Sequence, residues 1–150
     1  VLLRAIPGLA ATSAVIAAAI LLCACGARGT REIADNRPYP MELRQQGSID
    51  IQVIQHTTTL ELTNSTTRQL AAGTLWLNGR FARDMEPLAP GERRELDLDS
   101  FVDEFGDRFR PGGFWATDIP DRVVLAQWEE RVPGEAPRLV GLVAVSRIEE

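Results

Sequence analysis

The chain has 150 residues, with 16 Arg, no Lys, 21 acidic residues and a formal net charge of −5. That length allows one domain with accessory segments, and the mild acidity excludes the concentrated basic stripe that a nucleic-acid backbone requires. Both cysteines, Cys23 and Cys25, fall near the N-terminus, so the remainder of the chain must be held by its core and not by disulfides.

Residues 5–25 read AIPGLAATSAVIAAAILLCAC, an uncharged run preceded by Arg4. A basic start followed by an apolar stretch is the layout of a secretory signal, which predicts a signal helix over 1–24. Val1 is the residue expected from a GTG start codon translated literally, or from a truncated sequence. The end of the run, Leu22-Cys23-Ala24-Cys25-Gly26, resembles the bacterial lipobox: Leu22 stands three before the cysteine, small Ala24 just before it and Gly26 after it. Cys23 departs from the motif's pattern. The resemblance implies cleavage before Cys25, thioether lipidation of its sulfur and acylation of the new amine, by palmitate or a similar fatty acid. A transmembrane helix is the alternative, since about 20 apolar residues span a bilayer; Pro7-Gly8, the alanine content and the cysteine placement favour the lipoprotein. Either anchor places the domain in the cell envelope, facing the periplasm or the outside. Gly26 in place of an Asp leans towards an outer leaflet, where an outer membrane exists.

Residues 25–47 are expected to form the lipidated cysteine and a flexible linker. The stretch GARGTREIADNRPYPMELRQQG carries alternating charges, Gly, Pro and Asn without sustained apolar periodicity. Some 20 such residues reach roughly 25 Å. Tyr39, flanked by Pro38 and Pro40, either docks on the domain or stays in solvent.

From Ser48 the period becomes two. Ile49, Ile51 and Val53 alternate with Asp50 and Gln52, and Thr58, Leu60 and Leu62 alternate with Thr59 and Glu61; this is the pattern of half-buried strands. Residues 74–77 form the next strand, with Asn78-Gly79 as a hairpin turn and 80–86 as the return. Ala89-Pro90-Gly91 is a turn before a strand over 94–98. Ser100, Asp103 and the Phe101/Phe105 spacing predict one short helical turn near 100–106. A loop over 107–120 precedes two closing strands, 122–130 and 138–148. Seven short strands predict an all-β fold, a single seven-stranded antiparallel β-sandwich over 48–150. The stretches Leu62-Thr63-Asn64, Leu75-Trp76-Leu77-Asn78-Gly79, Leu88-Ala89-Pro90-Gly91-Glu92 and Leu96-Asp97-Leu98 with Phe101 resemble immunoglobulin-like and fibronectin type III-like domains of bacterial lipoproteins. The resemblance implies a sandwich with Trp76 as a candidate central aromatic; the inter-sheet cysteine pair is missing.

His56, the single histidine, lies among threonines with no G-x-S-x-G elbow, so a surface or edge position outweighs a triad role. The acidic run Glu92, Glu95, Asp97, Asp99, Asp103, Glu104 and Asp107 is the best metal candidate, but it lacks the EF-hand spacing, and Glu95, Asp97 and Asp99 read as a solvated strand face. Asn64-Ser65-Thr66 matches a sequon that the turn explains. Phe109, Phe114 and Trp115 in the Gly-rich loop form a possible binding surface, against the plainer reading that they close an end of the core. The sequence therefore predicts a non-catalytic binding or scaffold module, with no cofactor, no metal and no catalytic residue, whose partner is an envelope protein. A small hydrolase or a calcium-dependent protein of the envelope is the alternative class, and an accessory subunit of an envelope machine is a special case of the first.

Overall fold

The computed structural model describes residues 36–114, 117 and 119–145. The signal segment 1–24 and the lipobox residues Leu22, Cys23, Ala24 and Cys25 lie outside them. The described residues belong to one compact unit. Its architecture is all-β: β1 (Gln45–Gln55), β2 (Thr59–Asn64), β3 (Gly73–Leu77), β4 (Phe81–Met85), β5 (Arg93–Asp97), β6 (Ala126–Glu130) and β7 (Arg138–Val145).

The strands form one curled sheet in the order β4-β3-β6-β7-β1-β2-β5. Neighbours are antiparallel except β1 and β7, which run parallel. The arrangement is a half-barrel of mixed strand direction, where the sequence predicted two purely antiparallel sheets. The reason lies in β1. Between Gln45 and Ser48 it advances three residues while β7 advances two, from Leu139 to Gly141, and a second irregularity comes before Gln52. Gly47, at φ 77°, supplies the left-handed residue such a bulge needs. Bent there, β1 stays paired with β7 from Gln45 to Ile54 and from Ile51 onward pairs with β2 as well. Gln52, Val53 and Ile54 then have partners in both β2 and β7.

The period-two pattern sets the inner face. Ile51 and Val53 of β1, Leu60 and Leu62 of β2, Leu75 and Leu77 of β3, Phe81 and Met85 of β4, Leu96 of β5, Trp128 of β6 and Val140 and Leu142 of β7 form one core. The Asn78-Gly79 turn takes positive φ at both residues, 56° and 63°, as its composition requires. Asn64, buried at the end of β2, donates to the carbonyls of Arg68 (2.9 Å) and Leu88 (3.1 Å) and accepts from the Thr66 backbone N–H (3.0 Å) and hydroxyl (2.7 Å). It is a structural turn residue with no free amide.

Two expectations change. The helical turn near 100–106 is replaced by a 3-10 turn at Leu98–Ser100. Val102 bridges to Ala82 and Arg108 in extended fashion, and the Asp103 carboxylate accepts the N–H groups of Phe105 and Asp107. Those side-chain bonds draw the backbone away from a helix. Trp76 is buried, but on the outer face of the β4-β3-β6-β7 wing with Ala82 and Leu139; Trp128 holds the inner core.

The outer cluster is covered by residues 36–44, which cross that wing strand by strand. The Arg37 guanidinium pairs with Asp84 on β4 at 3.1 Å. The Tyr39 ring meets Trp76 of β3 edge-on at 5.4 Å, and its hydroxyl donates to Gln127 of β6 at 2.8 Å. Leu43 packs in the cluster that includes Leu139 of β7. Removing the Tyr39 ring uncovers Trp76 and deletes a part-buried hydrogen bond. We expect Tyr39→Ala to cost about 2–3 kcal/mol and to red-shift tryptophan emission, and Tyr39→Phe to cost about 1 kcal/mol; urea unfolding followed by fluorescence measures both.

Candidate binding surface

The chain closes on itself at Arg110 and Asp121: the Asp121 N–H donates to the Arg110 carbonyl at 2.9 Å, and the Arg110 N–H donates to the Asp121 carboxylate at 3.1 Å. Loops closed at the base by a scaffold often carry function. Two side chains brace the base. The Gln55 amide donates to the Asp121 carbonyl (3.0 Å) and accepts from Val123 N–H (2.8 Å). Asn78, at the β3–β4 turn, donates to the Arg122 carbonyl (2.7 Å) and accepts from the N–H groups of Val124 (2.9 Å) and Leu125 (3.2 Å). These bonds occupy the backbone of 122–125, so β6 begins only at Ala126.

On this frame Phe114 is 91% exposed, Ile119 89% and Val124 77%. Phe109 does not join them. It is 1% exposed, stacked edge-on against Phe81 at 5.2 Å, because its N–H donates to the Phe101 carbonyl (2.9 Å) and turns the ring into the core. The loop thus splits the candidate aromatics into a core residue, Phe109, and a solvent-facing one, Phe114; Trp115 lies outside the described residues. Ile119, an isolated aliphatic in a loop, carries no periodic signal, and Val124 was expected within a strand over 122–130, whereas that strand begins at Ala126. Phe105, at the neighbouring 103–107 turn, is 80% exposed.

The polar candidates are engaged elsewhere. His56 Nε2 lies 3.4 Å from Glu61 Oε2, and that same carboxylate is held by Arg93. The Arg93 hydrogen bond is the main reason why the Glu61 pKa falls below its ordinary value. The acidic run disperses. Glu92 accepts the Ala89 N–H at 2.8 Å and pairs with Arg94, Asp99 faces Arg108 at 3.7 Å, and Asp103 is buried against Arg80. Among the described residues no three His, Cys, Asp or Glu side chains gather as a metal site. An open groove of about 300 Å³ separates the β4 and β5 edges, lined by Arg83, Asp84, Met85, Glu86, Arg94 and Leu96. The Arg94 guanidinium bridges it by donating to the Glu86 and Pro87 carbonyls.

Two buried carboxylates were not anticipated as a pair of anchors. Glu130 is 2% exposed and accepts from Arg68 (3.0 Å), Arg138 (2.8 Å) and the Ala71 N–H (3.1 Å). Burial pushes its pKa up, but the Ala71 N–H and the two guanidiniums outweigh it and hold the group below the ordinary value. Asp103 behaves alike: burial is opposed by Arg80 and the N–H groups of Asp107 and Phe105, and the net shift is downward. Both sites hold the chain in place, Glu130 where the β2–β3 loop meets β6, Asp103 at the turn beside Phe105.

Comparison of the chain with protein-family models, with curated proteins and with solved structures finds no match in any of the three.

This geometry has two measurable consequences. Phe109→Ala should cost about 3–5 kcal/mol through loss of a core ring, whereas Phe114→Ser with Ile119→Ser should change stability by no more than about 0.5 kcal/mol; urea midpoints distinguish them. Because the folded-state pKa values of Asp103 and Glu130 are lowered, their contribution is present above the ordinary carboxylate range near about 4 and is lost as pH falls below it. In Asp103→Asn with Glu130→Gln the acid limb of stability against pH should flatten, a change read from urea melts at stepped pH.

Proposed function

We propose that the protein is a lipid-anchored module of the cell envelope, non-catalytic, that binds another envelope component through the loop end bearing Phe114, Ile119 and Val124. Residues 1–24 act as the export signal, with Leu22, Cys23 and Ala24 preceding the lipidated Cys25. The reading is carried by one observation: a loop tied at its base by Gln55, Asn78 and Asp121 presents large apolar side chains to solvent. A loop left slack would lose entropy on binding, and a braced one has already lost it.

The finer fold assignment belongs to the same proposal. With β1-β2-β5 on one side and β4-β3-β6-β7 on the other, and a common core between them, the strand order suits an immunoglobulin-like or fibronectin type III-like module whose two layers are joined along one edge by β1. A fold of that kind specifies no reaction, so the function rests on the loop surface and the anchor.

The anchor is tested by Cys25→Ser in cells fed a labelled fatty acid. We expect loss of the label, accumulation of unprocessed chain and a changed membrane fractionation. Unchanged labelling and processing would overturn the lipoprotein reading.

A further inference from the structure

We infer that the component met by the loop end is the lipid bilayer itself: Phe105, Phe114, Ile119 and Val124 rest in the interfacial layer of the membrane that holds Cys25. This rests on the lipoprotein reading above.

The first support is where the exposed apolar side chains lie. Those described are Met41, Phe105, Phe114, Ile119, Val124, Leu125, Val143 and Val145. Phe105, Phe114, Ile119, Val124, Leu125 and Val145 sit at one end of the module, while Val143 lies within β7 opposite Gln52. Asn78 ties 122–125 to the β3–β4 turn, Arg80 ties that turn to Asp103 and Asp107 on either side of Phe105, and Val145 pairs with Ile54 next to Gln55, which braces the loop. The opposite end, built by 65–69, 89–92 and 131–137, presents Arg68, Gln69, Pro90, Glu135 and Pro137 instead. Single exposed aliphatics are ordinary on a soluble surface; their segregation to one end is not.

The second support is where the chain leaves the module. Asn36 packs against Gly106, its amide nitrogen 3.3 Å from where a β-carbon on that glycine would stand, and Gly106 follows Phe105. The first described residue is therefore at the apolar end. Eleven residue steps separate it from Cys25, and if that stretch is the flexible linker expected from its sequence it averages about 18 Å. The module is longer: β1 alone, with 11 residues, spans roughly 36 Å. The stretch of chain that links Cys25 to the module therefore joins it at the apolar end and not at the opposite one.

The third support is the chemistry. Aromatic and aliphatic side chains at a loop tip, with exposed Arg108, Arg110 and Arg122 beside them, are suited to the headgroup boundary, where guanidiniums reach up to phosphates while apolar groups sink. Arg108 and Arg110 face Asp99 and Asp121 at 3.7 and 3.5 Å. With Glu104 and Asp107 also exposed on either side of Phe105, the end carries no excess of positive charge, and seating depends on apolar contact and not on anionic lipid.

The test uses the mature lipidated protein in phosphatidylcholine vesicles that carry nitroxide-labelled lipid. Its Cys25 sulfur is consumed by the lipid, so an introduced cysteine is the single free thiol. An environment-sensitive dye on Val124→Cys should be quenched about twofold by shallow nitroxides, and the same dye on Glu135→Cys should not be. Adding Phe114→Ser and Ile119→Ser should abolish quenching at 124 while the protein still floats with the vesicles. Flotation with no quenching at 124 overturns the inference and leaves the anchor standing; quenching at both positions overturns it too, because the module then has no preferred end. A dye at 124 that is shielded in native membranes but unquenched in protein-free vesicles assigns the surface to a protein and overturns the inference. Failure to float overturns the lipoprotein reading and the inference with it.

Discussion

Gln52, Val53 and Ile54 have strand partners on both sides, β2 across one edge of β1 and β7 across the other. Everything else in the module leans on that double pairing. A β-sheet can enclose a core only if it curls, and a bulge adds a local bend to the sheet's own twist. Gly47 sits at that bulge. Without the irregularity around it, β1 would run straight along β7, and its apolar face would not reach Leu60 and Leu62. The two free edges, β4 and β5, would also change character. β4 is now covered in part by the Val102 bridge, and β5 carries Arg93, Arg94, Glu95 and Asp97, charges that discourage pairing with another chain.

Buried carboxylates mark the places where loops meet the sheet. Burying a charge without partners costs several kcal/mol, more than most single contacts return. Glu130 and Asp103 avoid that cost because each combines at least one guanidinium with backbone N–H donors. The arginines that serve them, Arg68, Arg80 and Arg138, are themselves about half exposed, so only the acidic partner is desolvated. The exclusive use of arginine, with its planar fork of donors, suits this role in every such pair.

The inner face was readable in the sequence, and the outer one was not. Period-two alternation located Ile51, Val53, Leu60 and Leu62, and Asn78-Gly79 announced its turn, because strand pleat and positive φ leave direct marks on residue choice. The bulge at Gly47 left no such mark: a glycine at the end of a polar stretch looks like a linker. Residues 36–44 looked unstructured for a related reason. Their apolar members, Tyr39 and Leu43, follow no period, since they form a crossing segment that touches each strand once. Trp76 was expected as the central aromatic from the resemblance to immunoglobulin-like domains, but the inner face is held by its cross-strand neighbour's neighbour, Trp128, set one residue out of phase with it. In the loop, Phe109 and Phe114 share composition and differ in fate because of one backbone hydrogen bond to Phe101, a long-range contact that a linear reading does not contain.

If the chain is anchored through Cys25, as proposed above, the crossing segment also decides how tension enters the molecule. A chain tethered at one terminus is tugged whenever the tethered body drifts, and the load falls first on whichever contacts lie nearest the tether. Here those are Arg37 with Asp84 and Tyr39 with Trp76 and Gln127, side-chain contacts laid across the wing and not the ladder of β1. A pull must peel 36–44 away from β4, β3 and β6 before it reaches the first residue of the strand that joins the wings. In an anchored chain the segment would act as a strain relief, like the collar on a cable, for the one strand whose detachment would open the half-barrel.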